Sequence, residues 1–215
     1  MTDFLYPFID GDERDAGALL RDLAASAGGK LTDSDEIRAR AIEANAAVLA
    51  SAATAMADRF RTGGRLLTFG NGGSSTDATT LAALFAEPRS GTPLPARCLT
   101  EDSAVLTALG NDVGYELVFS RQIIAHGRAG DIVIGFSTSG GSRNLLTAFD
   151  EAARRDILTI GLAGYDGGEM AQAGLDHCLI VRSDSVHRIQ EAEAALAHAL
   201  WRTVQDELAG ERVHG

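Results

Sequence analysis

The chain has 215 residues, 45% hydrophobic and 23% charged, an ordinary globular composition with room for one domain and a sizeable core. Its net charge is −11, with a single lysine, Lys30, beside 18 arginines and no basic patch, which argues against direct nucleic-acid binding. No apolar run has the length of a signal segment or a membrane span, so the reading is cytoplasmic, and Cys98 and Cys178, in or beside apolar strand-like runs, read as small hydrophobes rather than a disulfide framework.

In chain order, Met1–Ile9 carries the apolar cluster Phe4 to Phe8, which either packs on a neighbour or frays. Ala16–Ala27 and Glu36–Phe60 are alanine-rich with helical apolar spacing; Gly28-Gly29 predicts a break between them, and Asp33, Ser34 or Asp35 a cap for the second. Arg65–Phe69 is a short strand that runs into Gly70-Asn71-Gly72-Gly73-Ser74-Ser75-Thr76-Asp77 and then a helix of roughly Ala78 to Ala86. Ala96–Thr100 is the next strand, led in by Pro93 and Pro95, and a short helix starts at Ser103–Leu109. Ile132, Val133, Ile134 and Phe136 form a strand buried on both faces. After it come Ser137-Thr138-Ser139-Gly140-Gly141-Ser142 and a helix from Arg143 to Arg155. Leu158–Ala163 and Leu179–Val181 complete the strands, Arg188–Leu208 is a long closing helix, and Ala209–Gly215 reads as a disordered tail.

Two loops rich in glycine and hydroxyl groups, each between a buried strand and a helix start, carry the functional signal. Such a loop offers unpaired N–H groups and the positive end of a helix dipole, which is chemistry for a phosphate. The plainer alternative is that Ser142 caps its helix and the glycines only turn the chain. Two such units imply loops at the carboxyl ends of parallel strands, where they can share one ligand. The alternation of strands and helices gives an α/β fold, a three-layer αβα sandwich with a mostly parallel, flavodoxin-like sheet. On an acidic chain, the cradle has to hold its anion through local N–H groups rather than through net field.

The pair Gly70-Asn71-Gly72-Gly73-Ser74 and Ser137-Thr138-Ser139-Gly140-Gly141-Ser142, with Gly110-Asn111-Asp112 between them, resembles the sugar isomerase (SIS) domain. Within it the chain is similar to the phosphoheptose isomerase branch, which interconverts sedoheptulose 7-phosphate and a heptose phosphate. Val118-Phe119-Ser120-Arg121, Gly164-Tyr165-Asp166-Gly167-Gly168 and Arg188-Ile189-Gln190-Glu191 add to the match, which runs from about Leu49 to Leu208. The resemblance implies an SIS domain over 49–208, with residues 1–48 as N-terminal helices that build a homodimer or homotetramer. It implies substrate contacts at Asn71, Gly72, Gly73, Ser74, Asn111, Asp112, Ser137, Thr138, Ser139, Ser142 and Gln190, although Asn-Asp is also routine turn chemistry.

In the resembled branch, zinc is held by a His and a Glu on the first helix of the domain and a Gln and a His on the last. Here Gln190 and His198 match the last-helix half, whereas Thr80 and Leu84 stand where the first-helix His and Glu should be. One amide and one imidazole fall short of the three or four ligands zinc takes, which argues against family-type zinc binding. His198 is then the candidate acid/base group, with Glu87, just before Pro88, a weaker substitute. Read alone, His198 could equally be an ordinary buried histidine. The resemblance therefore leaves two functions open. One is a phosphosugar isomerase; the other is a non-catalytic regulator or accessory protein that binds a phosphosugar or a protein partner, as the DnaA initiator-associating protein of the same family does with its own degraded metal site.

Overall fold

A computed structural model describes residues 16–210 of the chain. The apolar cluster at residues 4–8 and residues 211–215 lie outside the described residues; of the expected tail, Ala209 and Gly210 are instead the last residues of the closing helix, Val186–Gly210. The chain divides into two compact units, residues 1–36 and 37–215. In the first, Leu20, Leu23 and Leu31 are exposed apolar side chains on the opening part of helix α1, Ala16–Arg61.

One helix occupies the stretch where two were expected. Gly28 and Gly29 lie inside α1, and a Cβ added to either would meet nothing within 4 Å. Two glycines cost about 1 kcal/mol each against alanine. The alanine-rich flanks carry the helix through them, so Asp33, Ser34 and Asp35 are interior helical residues and not a cap.

The second unit is the sandwich. Five strands, β1 Leu66–Gly70, β2 Ala96–Cys98, β3 Ile132–Ser137, β4 Leu158–Gly164 and β5 His177–Val181, pair in the order β2-β1-β3-β4-β5, all parallel. β1, β3 and β4 are buried along their whole length, as apolar runs covered on both faces must be. Alternate side chains feed two cores. Leu66, Ile134, Phe136, Ile160 and Leu162 face the part of α1 from residue 37 on, with α2 Gly73–Ala86 and α6 Val186–Gly210. Leu67, Phe69 and Val133 face α4 Val118–His126 and α5 Arg143–Ala153, with α3 Ser103–Asp112 packed at the margin. Asn45 of α1 accepts from Ile180 N at 2.9 Å and donates to Ile180 O at 2.9 Å, which satisfies backbone groups of the edge strand β5.

Strand order dictates where a ligand can go. The connection from β1 leaves over one face through α2 to β2, and that from β3 leaves over the other through α5 to β4. The chain therefore reverses direction between β1 and β3, and the two loops part there to leave a crevice outside the strands' carboxyl ends. Among the described residues, no helix is long and apolar enough to cross a membrane.

Candidate functional site

The first loop is shorter than its sequence suggests. α2 begins at Gly73, not near Ala78, so Ser74, Ser75 and Thr76 form its opening turn. The hydroxyls of Ser75 and Thr76 return to Gly72 O (2.6 Å) and Gly73 O (2.5 Å), and Ser74 is buried. Gly72 turns the chain with φ of 54° and no side chain caps the helix; Ser74 N and Ser75 N turn back to Asn71 O and Gly72 O at 3.0 Å each, so the backbone donors this loop keeps for a ligand or water are those of Gly72 and Gly73.

In the second loop, Ser142 occupies the N-cap position of α5 without capping it. Its hydroxyl lies 3.0 Å from Ser137 Oγ, which is also 3.4 Å from Ser139 Oγ, and Ser139 Oγ accepts from Gly141 N at 3.3 Å. Three serine oxygens thus cluster at the end of β3, and the capping alternative does not hold. Thr138 is half-buried beside them, its carbonyl accepting from Gly164 N. Gly140, at φ 62°, packs so closely on Gly167 that a Cβ would strike its carbonyl, and Gly140 O accepts from Met170 N at 2.8 Å. The turn 164–170 therefore braces the loop from behind.

A pair of asparagines ties the loops together. Asn71 Nδ2 donates to Asn144 Oδ1 at 2.9 Å and Asn144 Nδ2 donates to Asn71 Oδ1 at 2.9 Å, while Tyr115 Oη donates to Asn71 Oδ1 at 3.1 Å. Asn144, at the start of α5, is buried, and Tyr115 opens a short 3₁₀ turn after α3. Neither was singled out as a site residue from sequence, since Asn144 reads as an ordinary helix-start residue and Tyr115 as a lone aromatic. Asn111 and Asp112, expected at the substrate, are exposed at the end of α3, where Asn111 Nδ2 donates to Asp112 Oδ1. No hydrogen bond among the described residues joins them to either loop; Tyr115, three residues on, makes that link.

The candidate catalytic half lies along the seam of α2 and α6. Gln190 covers Gly73, where a Cβ would collide with its amide. Further along, Thr80, Leu84, Glu87 and His198 line one open groove of about 1280 Å³. His198 is exposed, not buried, with its ring 5.4 Å from that of Trp201. Thr80 Oγ1 donates to Thr76 O and Leu84 packs on the core. Among the described residues, no group of three His, Cys, Asp or Glu could hold a metal ion. An amide, an imidazole, an engaged hydroxyl and a leucine are not a zinc donor set, so the residues present do not fit the metal of the resembled branch.

The same seam holds two carboxyl groups that the motif reading passed over. Glu193 on α6 is fully buried and neither of its oxygens has a hydrogen-bond partner; Asp77 Oδ2 on α2 is likewise unpartnered. Burial, and then the nearby Asp77 charge, push Glu193 up to about 8, and burial raises Asp77 as well. A sequence signal existed: Glu193 falls at helical spacing among Ile189, Leu196, Ala197 and Leu200, on the face that had to be buried.

Three comparisons place this geometry among known proteins. The SIS domain family matches residues 31–164. The phosphoheptose isomerase of Roseiflexus sp. (strain RS-1) is 42% identical over 172 residues, which span 79% of this chain and 87% of the relative. That of Sulfurimonas denitrificans is 45% identical over 151 residues, 67% of this chain and 75% of the relative. Among solved structures, the phosphoheptose isomerase from Neisseria gonorrhoeae superposes with a TM-score of 0.80 at 37% identity, covering 86% of this chain and 99% of that one.

Proposed function

Because the chain belongs to the SIS domain family, we propose that it binds a phosphorylated sugar in the crevice between β1 and β3 and acts as an aldose–ketose isomerase of the phosphoheptose type. The observation that carries this reading is the reciprocal Asn71–Asn144 amide pair, which holds two N–H- and hydroxyl-bearing loops at one place. The phosphate sits against the start of α2 and the serines of the second loop, and the sugar extends towards Gln190. Isomerisation removes a proton from the carbon beside the carbonyl, gives an enediol, and returns a proton to the neighbouring carbon. His198, exposed in the groove, is the group we assign to that transfer, with the Gln190 amide steadying a sugar oxygen. We further read the protein as cytoplasmic and as a homodimer or homotetramer; the exposed Leu20, Leu23 and Leu31 of α1 support an assembly.

One observation favours a second reading. Thr80 and Leu84 bring neither an imidazole nor a carboxylate to the seam, and a regulator that binds the sugar phosphate without turnover needs neither. An isomerase assay on sedoheptulose 7-phosphate, run with thermal unfolding at rising ligand, separates the two. Turnover that His198→Ala lowers by a hundredfold or more supports the enzyme. Ligand-dependent stabilisation without turnover supports the binder. If neither the sugar phosphate nor inorganic phosphate raises the melting temperature, both readings fail.

A further inference from the structure

The α2–α6 seam is built as a series of rungs. At one end Gln190 lies over Gly73; at the other, the Gln205 side chain accepts from Thr92 N at 2.8 Å and donates to Thr92 O at 3.0 Å. Between these fixed points stand Asp77 and Glu193, one turn along from the Gln190 rung. Among the described residues, the buried side-chain polar atoms lacking a hydrogen bond are Asp77 Oδ2, both oxygens of Glu193 and Trp201 Nε1, and all four belong to this seam. Polar atoms in that condition are rare in folded proteins and call for a physical cause.

Glu193, if ionised, would be a fully buried charge with no donor to either oxygen, acted on by the like charge of the half-buried Asp77. Arg89 and Arg202 line the open groove that Asp77 also lines, but neither acts on Glu193. β4 carries no titratable group, β5 contributes His177 and Cys178 with neither acting on Glu193, and the face of α1 beneath is neutral, with Leu49, Ala52, Ala53 and Met56. On α6 itself Arg188 is paired with Glu191, His198 opens on the groove, and Asp77 is the only charge on α2 that acts on Glu193. A single proton resolves the conflict, because it removes one charge and turns one acceptor into an O–H donor for the other carboxylate.

We propose that Asp77 and Glu193 share one proton, and that this protonated pair is a positioning device that fixes α6 on α2, so that Gln190 covers the first loop and His198 stands in the groove only while the proton is held. The inference deepens the phosphosugar reading and rests on it. When the proton leaves, the two helices carry like charges across a buried contact, and the Gln190 rung is the neighbour that yields. Affinity for a sugar phosphate therefore falls as pH rises past about 8.

The test measures the dissociation constant for sedoheptulose 7-phosphate from pH 7 to 9.5, above the phosphate's own titration near about 6. The parent protein is expected to weaken about tenfold between pH 7 and pH 9. Glu193→Gln, whose amide offers Asp77 a donor that cannot be lost, keeps its affinity across the range. Asp77→Asn, whose amide donates to Glu193, moves the inflection to lower pH. A flat profile in the parent protein, or a Glu193→Gln profile that tracks the parent, overturns the proposal. A second measurement needs no sugar: the melting temperature of the parent, relative to Glu193→Gln, declines from pH 5 to pH 8. Failure to bind the sugar at every pH sinks the functional reading alone. Parallel melting curves for the two proteins sink the shared proton.

Discussion

Asn71 Oδ1 accepts from both Asn144 Nδ2 and Tyr115 Oη, which fills the two lone pairs of that oxygen. One N–H of Asn71 goes to Asn144 in return, so the side of the amide left for a ligand is its second N–H. The network thus converts a residue that could offer either sign into a donor, which is what an anionic sugar ester needs. Tyr115 is the accessible member, 58% exposed. Tyr115→Phe is expected to raise the dissociation constant for a sugar phosphate by about three- to tenfold, the worth of one hydrogen bond, while the melting temperature barely moves. Calorimetric titration checks it, and an unchanged constant would mean that Asn144 alone holds the amide. Asn71 was legible in the sequence because it lies in a glycine-framed loop. Asn144 and Tyr115 were not, since they lie 73 and 44 positions away and become its neighbours only through the order of the strands.

At the level of elements, the cradle depends on what stands behind it. Gly140 combines a left-handed φ with direct packing against the Gly167 carbonyl, so Gly140→Ala strains the backbone and forces the loop off its brace. We expect a loss of about 2–3 kcal/mol in chemical denaturation together with weakened phosphate binding, because the serine cluster moves with the loop. The strands themselves were plain in the sequence: β1, β3 and β4 are apolar runs too short for helices, and each was recognised within a residue or two. The helix boundaries were less so. Gly28-Gly29 looked like a break and is not one, because a glycine's cost is spread over a long cooperative helix. Ser142 looked like a cap and is not one, because Ser137 competes for its hydroxyl. In each case the local signal was real and a neighbour outside the sequence window decided the outcome.

Across the whole molecule, the two ends of the parallel sheet do different jobs. At the carboxyl ends lie the loops, with their unengaged donors. At the amino ends, Asp131 is 2% exposed and accepts from Arg65 N at 2.9 Å, Arg65 Nη2 at 2.6 Å and Arg128 N at 3.0 Å. That bracket joins the starts of β1 and β3, the two strands whose other ends carry the site, so it sets their register without touching a ligand. The separation gives a prediction that a uniform view of the fold would not. Asp131→Ala orphans two backbone N–H groups and leaves the half-buried Arg65 guanidinium with only its bond to His126 O, and should cost about 2–4 kcal/mol of stability. In thermal unfolding that is a drop of several degrees for a chain of this size. Below the new transition, the affinity for a sugar phosphate should stay within about twofold of the parent, because the Asn71–Asn144 pair still closes the far end. Tyr115→Phe should show the opposite pattern, with affinity lost and stability kept. If Asp131→Ala instead weakens binding at temperatures where the protein remains folded, strain passes along β1 and β3 from one end to the other, and the sheet is not the rigid spacer that this division of labour requires.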